Sequence, residues 1–289
     1  MLFDLQSPGR RRVIKVAYSV LAILFFIGFV GFGVGTEFGG GGLADVFSGG
    51  GGDAEENPFE DDISKAEETL QVNPKDQAAL LALAKAHVAT AATRADVDEE
   101  SGAAVPNSEA GEEAAKAVDA WARYVKVAKN PDPATAGQIA NAYFLAQGIV
   151  LAPDASGRLA VAFGSPTIFD AQSAAKGAAQ AQAILAADQP GQNTLSTLAL
   201  FHYYAGDTAA AQQAQQQALA QVKSPAEKKQ LQKVFGAYAQ LGSLIQKGIE
   251  EAKKEQAAGG GGAGSGASLE DFGGGLQGGG GSGTGIIAP

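Results

Sequence analysis

The chain lacks several of the residues on which catalytic and metal sites depend. Its 289 residues include no cysteine, one methionine, one tryptophan and two histidines. The absence of cysteine excludes disulfide bonds, thiolate nucleophiles and cysteine-ligated metals. Basic residues are also scarce, since 21 Lys and Arg stand against 31 Asp and Glu and give a formal net charge of −10. A nucleic-acid-binding surface needs the opposite sign to neutralise phosphates, so we expect no nucleic-acid partner.

Glycine, in contrast, is abundant, and most of the 40 glycines lie in two tracts, at residues 39–52 and 259–285. Segments this poor in apolar side chains bury too little surface to offset the entropy of ordering. We therefore expect a Gly-rich linker over residues 37–57 and a disordered tail over 257–289, in which SLEDF is a short non-glycine island. Between them, residues 58–256 are rich in Ala and Gln and are long enough for one globular domain.

One long apolar run lies near the N-terminus. Residues 16–34 contain no charged residue, and a helix of that length reaches about 28 Å, close to the roughly 30 Å of bilayer hydrocarbon. Four basic residues precede the run and place the N-terminus in the cytoplasm: Arg10, Arg11, Arg12 and Lys15. We expect a cytoplasmic segment at 1–12, an uncleaved transmembrane signal anchor at 13–36 and export of the remainder.

Two alternatives to the anchor fit the same residues less well. The apolar part of a cleaved signal peptide is usually about 7–15 residues long and ends at a small-x-small site, and no convincing site follows here. A buried core helix shows a polar stripe, which this segment lacks.

Within the anchor, three glycines recur at spacings of three and four, Gly28, Gly31 and Gly35. Small residues on one face let a second transmembrane helix approach closely, so these positions are candidate packing sites. The alternative is that glycine is simply common in membrane helices. A G-x-G-x-G string overlaps these positions at residues 31–35. No strand precedes it and no acidic partner follows, so a dinucleotide site is excluded.

Residues 192–225 show a repeat-like pattern of large and small side chains. Numbering from Gln192, position 8 is Ala199, the turn position 15 is Gly206, and positions 20 and 27 are Ala211 and Ala218. Leu195, Leu198 and His202 occupy positions 4, 7 and 11. This pattern resembles the tetratricopeptide repeat (TPR), a pair of antiparallel helices of about 34 residues.

Two weaker copies of this pattern precede it. The first pairs a helix from QAALLALAKAHV with one from EEAAKAVDAWARYVKVAKNP, and the second pairs a helix after Pro133 with DAQSAAKGAAQAQAILAADQP. Insertions at 92–111 and 150–169 separate the helices of each copy. Residues 226–255 carry one apolar stripe and are predicted to form a long capping helix. The predicted fold is thus all-α, with about three TPR-like helix pairs.

The resemblance implies a partner groove lined by certain positions of each first helix. The candidates are Lys85, Asn141, Phe144, Leu200, Tyr203 and Tyr204. Their aromatic and aliphatic content suits apolar peptide segments, although Phe144 and Leu145 packing under the 150–169 insertion explains those two equally well. His87 and His202 occupy a packing position of the repeat, and no third ligand is spaced to complete a metal site. We expect no catalytic residues, no cofactor and no metal.

An N-terminal anchor followed by an exported TPR domain resembles the bacterial ancillary factors of the protein-export translocon. The anchor is similar to that of translocon-associated periplasmic folding factors of the peptidyl-prolyl isomerase class, whose isomerase domain is absent here. The resemblance implies a single-pass protein of the cytoplasmic (inner) membrane whose TPR domain lies outside the cytoplasm. It would hold exported chains or recruit a chaperone. The alternative is a structural scaffold of an envelope complex in cell-wall synthesis or division.

Overall fold

The computed structural model describes residues 57–97, 104–151, 158–257 and 269. Over these residues it contains eight helices and two short strand pairs, which confirms the predicted all-α class. The chain divides into two compact units, Met1–Asn130 and Pro131–Pro289. The predicted anchor at 13–36, with Gly28, Gly31 and Gly35, lies outside the described residues. Among the described residues, no helix has both the length and the apolar character needed to cross a membrane.

The first unit contains three helices, α1 (Glu60–Val72), α2 (Gln77–Thr93) and α3 (Ser108–Val125). Side-chain caps define where the second and third begin, since Asp76 accepts a hydrogen bond from the Ala79 amide and Asn107 accepts one from the Ala110 amide, both at 3.0 Å. Helix α2 packs against both α1 and α3. The core consists mainly of leucine, small alanines and one Trp–Tyr pair, including Leu80, Ala84, Ala114, Ala117, Trp121 and Tyr124.

The second unit contains five helices. They are α4 (Pro133–Leu145), α5 (Ile168–Asp188), α6 (Gln192–Ala205), α7 (Thr208–Gln221) and α8 (Pro225–Ala257). Helix α5 packs against α4 and α6, and α6 packs against α7 and α8. Thr167 and Asp170 form a reciprocal capping box that fixes the start of α5.

Each predicted insertion contains a short antiparallel strand pair that the sequence pattern did not reveal. Strand β1 (Asp96–Val97) pairs with β2 (Ala104–Val105), and β3 (Ile149–Leu151) pairs with β4 (Leu159–Val161). The second pair begins next to Gly148, whose φ of 72° places it in the left-handed region. Pairs this short are stable only when they pack against a larger body, so they could not be predicted from local residues alone.

Helices α6 and α7 form the helix–turn–helix unit that the spacing in residues 192–225 predicts. Gly206 ends α6 with a φ of 86°, and Asp207 caps α7 by accepting a hydrogen bond from the Ala210 amide at 3.1 Å. Ala199, Ala211 and Ala218 each have 0 % of their surface exposed. Small side chains at these positions allow the two helices to approach closely.

Two residues of the segment 257–289 depart from the prediction of a disordered tail. Ala257 is the last residue of α8, and Leu269 is only 6 % exposed. The Leu269 amide donates a hydrogen bond to the Pro166 carbonyl oxygen at 3.0 Å. Burial of a leucine side chain and a paired amide supplies local stabilisation at this residue.

Candidate partner-binding surface

The six residues predicted to line a partner groove lie in very different environments. Lys85, on α2 of the first unit, and Asn141, on α4 of the second unit, are exposed. The other four are core residues, with exposed fractions of 1 % for Phe144, 5 % for Leu200, 7 % for Tyr203 and 1 % for Tyr204. The prediction that these four line an open groove is therefore wrong, since a side chain buried in the core of its own chain offers no open surface.

Helix α8 covers the face of α6 that was predicted to be accessible. A Cβ atom built on Gly242 of α8 would lie 2.6 Å from the Tyr203 carbonyl oxygen and 3.0 Å from the Tyr203 Cβ. Only a residue without a side chain permits this approach of the two helices. The long helix, predicted as a cap at the end of the array, thus also closes the side of α6 that carries the tyrosines.

A pair of glutamines joins three helices at the C-terminal end of α6. Gln246 of α8 donates from Nε2 to the Tyr204 carbonyl oxygen at 3.2 Å. Gln172 of α5 donates from Nε2 to the Ala205 carbonyl oxygen at 3.3 Å and to the Gln246 Oε1 at 3.0 Å. The last carbonyls of a helix have no partner within the helix, so these bonds satisfy groups that would otherwise need water.

The aromatic side chains of α6 are held by neighbours on both sides. The Phe201 ring packs against Phe144 of α4, with centroids 5.4 Å apart and planes tilted by 40°. This contact accounts for the burial of Phe144 by a helix of its own unit. The Tyr203 hydroxyl donates to the Gln215 Oε1 on α7 at 2.7 Å. Burial, with a smaller contribution from Tyr238, raises the pKa of Tyr204, so its hydroxyl stays neutral at physiological pH.

His87 is buried and belongs to a cluster of titratable side chains between α2 and α3, which the exposed Lys116 completes at the surface. Its Nδ1 lies 2.6 Å from the Glu113 Oε2, and the Lys116 Nζ donates to the Glu113 Oε1, also at 2.6 Å. Burial by itself raises the pKa of Glu113, but hydrogen bonds from Lys116 and His87 and their charges outweigh it and lower the pKa. No local sequence pattern indicates this cluster, because His87 and Glu113 are 26 positions apart.

His202 is half-buried near the end of α6, with its Nδ1 3.7 Å from the Asp207 Oδ2. Burial lowers the pKa of His202, and the charge of Asp207 opposes that shift only in part. Each histidine is thus paired with a carboxylate, His87 with Glu113 and His202 with Asp207. Within the described ranges, no three His, Asp or Glu side chains come together in a metal-binding group.

The outer face of α7 is an exposed and uncharged surface, which we call the amide face. The amide face consists of four exposed glutamines, Gln212, Gln213, Gln216 and Gln217. The opposite side of the helix carries three buried alanines, Ala211, Ala214 and Ala218. Helix α7 contains no charged residue. Each primary amide offers two donors and an acceptor, which are the groups that pair with the backbone of another chain.

Comparison with known proteins finds no matching family model, no matching curated protein and no matching solved structure.

Proposed function

We propose that this chain is a non-enzymatic, membrane-anchored, TPR-like protein that holds exported polypeptides in the bacterial cell envelope, as an ancillary factor of the protein-export translocon. The α6–α7 hairpin supports the TPR-like part, because its fully buried alanines stand at the positions where that repeat brings its two helices together. Helix-pair arrays of this kind present extended surfaces to other proteins. The anchor at 13–36 supports the location at the membrane.

The amide face is the observation on which the holding function rests. Because the predicted groove residues of α6 are buried, a client chain must meet another surface of the protein. Glutamine side chains can pair with the backbone of an extended chain whatever its sequence, which is what a protein that holds many different clients requires. An uncharged face also accepts clients of either net charge.

Site-specific photo-crosslinking tests this proposal. A photoreactive residue at Gln213 or Gln216 should crosslink to nascent exported chains and to translocon subunits in intact cells. The matched control is Gln232, an exposed glutamine of α8 outside the amide face. Equal client yields at Gln213 and Gln232 would contradict the proposal. A single defined envelope protein at Gln213 would favour the structural scaffold instead.

The membrane topology is tested separately. A reporter that works only outside the cytoplasm should be active when fused after residue 50. Replacing Arg10, Arg11, Arg12 and Lys15 with neutral residues should lower that activity, because these residues set the orientation. A mature protein that begins beyond residue 36 would show that the segment is a cleaved signal and would refute the anchor.

A further inference from the structure

Helix α8 presents one straight, basic and solvent-exposed face. Lys229, Lys233, Gln240 and Lys247 are all exposed, and their spacings of four, seven and seven residues keep them on one side of the helix. A Cβ atom built on Gly236, which lies on the same side, would meet nothing within 4 Å. We call this face the lysine stripe: Lys229, Lys233, Gly236, Gln240 and Lys247.

The lysine stripe is turned away from the rest of its unit. Helix α8 packs against α5, α6 and α7, and its buried residues, such as Leu231, Ile245 and Ile249, lie on the side opposite the stripe. The stripe extends over about 27 Å of the helix. Because it carries no large apolar side chain, it can lie against a flat polar surface without inserting into it.

Acidic residues of α8 do not neutralise the stripe. No Asp or Glu occurs between residues 228 and 249. Glu227 precedes Lys229 by two positions and therefore lies on the other side of the helix. After Lys247, Glu251 and Lys254 continue on the side of the stripe and cancel each other, within the mixed segment EEAKKE at 250–255. This side of α8 thus keeps the three positive charges of the stripe.

The helices that pack against α8 also leave this charge in place. Helices α6 and α7 contain no Asp, Glu, Lys or Arg, and Asp207 of the turn between them is paired with His202. Helix α5 contains Lys176 together with Asp170 and Asp188. Asp170 is bonded within its own capping box, and Asp188 is the last residue of the helix. The stripe is therefore a local excess of positive charge in a chain whose net charge is −10.

We propose that the lysine stripe docks the second unit against the anionic phospholipid headgroups of the membrane that holds the anchor. Lysines close to an anionic leaflet are attracted to it, and the attraction adds up over the lysines that reach the surface. A straight row of charges fits a plane, and the absence of large apolar side chains keeps the contact at the level of the headgroups. This inference rests on the proposed anchor, which holds the stripe within reach of the leaflet.

Quenching of a single fluorophore in the full-length protein tests this docking. The chain has no cysteine, so Gln240→Cys places one label on the stripe without changing its charge. The protein is held in nanodiscs in which a small fraction of the lipids carries a nitroxide on the headgroup. Quenching should be at least about twofold stronger with phosphatidylglycerol present than with phosphatidylcholine alone, and should fall with rising salt.

The matched control is a label on the far side of the same unit. Helix α4 contacts Phe201 of α6, whereas α8 contacts Tyr203, about 200° further around that helix. Helices α4 and α8 therefore lie on opposite sides of α6. A label at Asn141→Cys, an exposed position of α4, should not be quenched more strongly when phosphatidylglycerol is added.

Two triple variants separate the stripe from net charge. The headgroup dependence at residue 240 should disappear with Lys229→Gln, Lys233→Gln and Lys247→Gln. It should persist with the same loss of charge at three exposed lysines of the first unit, Lys75→Gln, Lys126→Gln and Lys129→Gln. Equal quenching in the two lipids, or an equal loss in both triple variants, would overturn the proposal.

Failure of the anchor would be seen separately. A protein without a working anchor would not stay in nanodiscs of phosphatidylcholine, and quenching by added phosphatidylglycerol vesicles would then test the stripe alone. Binding of polyglutamate that depends on the stripe, with no response to anionic lipid, would assign the stripe to an acidic protein and overturn the docking on the membrane.

Discussion

The close approach of α8 to α6 can be tested by replacing either of two glycines of α8 with alanine. Gly236 and Gly242 lie in the same helix, six positions apart. A Cβ on Gly236 would meet nothing within 4 Å, whereas a Cβ on Gly242 would meet the backbone of Tyr203 at 2.6 Å. A backbone carbonyl cannot turn aside as a flexible side chain can, so Gly242→Ala must push α8 and α6 apart.

The expected free energies follow from two opposing effects. Alanine is favoured over glycine in a helix by about 1 kcal/mol, and this gain applies to both variants. Overpacking of a tight contact typically costs about 1–3 kcal/mol, and this applies only to Gly242→Ala. Gly236→Ala should therefore raise the free energy of unfolding by up to about 1 kcal/mol. Gly242→Ala should be about 1–3 kcal/mol less stable than Gly236→Ala, since the helix preference cancels in that comparison.

Thermal or urea unfolding followed by circular dichroism at the helix band measures this difference. For a domain of this size, 1 kcal/mol corresponds to about 2–4 °C in melting temperature. If Gly242→Ala proves as stabilising as Gly236→Ala, α8 does not approach α6 as described. The face carrying Tyr203 would then be open, and the groove would again be a candidate binding surface.

Three further substitutions test the packing and the electrostatics. Ala218→Trp should lower stability by about 1–3 kcal/mol or more in denaturant unfolding, whereas Ala220→Trp at an exposed position of the same helix should not. Tyr204→Ala should lower it by about 3–5 kcal/mol, as for other buried aromatic residues, and an unchanged melting temperature would contradict its burial. Because the pKa of His202 is lowered in the folded state, the unfolded chain takes up the proton first as the pH falls through 6.5. Stability should therefore decline below that pH in the wild type, and His202→Phe should flatten the decline. A slope unchanged in that variant would show that another group is responsible.

Several helix boundaries could be predicted from the sequence, because short-range capping and turn residues mark them. Asp132 followed by Pro133 marks the start of α4, and Gly206 followed by Asp207 marks the turn between α6 and α7. Each signal acts within about one helical turn, through a cap or a glycine in the left-handed region. The pattern of small residues predicted the α6–α7 contact through the repeat resemblance, which places alanines such as Ala211 where the two helices touch.

The candidate site could not be predicted, because burial depends on residues far apart in the chain. Leu200, Tyr203 and Tyr204 make α6 apolar on more than one side, which predicts a helix with more than one neighbour but names none of them. Gly242 was the available signal, since a glycine within the apolar stripe of α8 marks a place where another backbone approaches closely. The repeat resemblance instead assigned this face of α6 to a partner.

The sequence by itself determined that this chain forms helices, where most of them begin and end, and which alanines lie between α6 and α7. Caps, turns and the 3.6-residue period act over a few residues and can be identified without a structure. Only the tertiary structure decided that α8 closes over the tyrosines of α6, that His87 meets Glu113 and that Leu269 returns to Pro166. Each of these contacts joins segments that are distant in sequence, and its formation depends on which helix faces fit together.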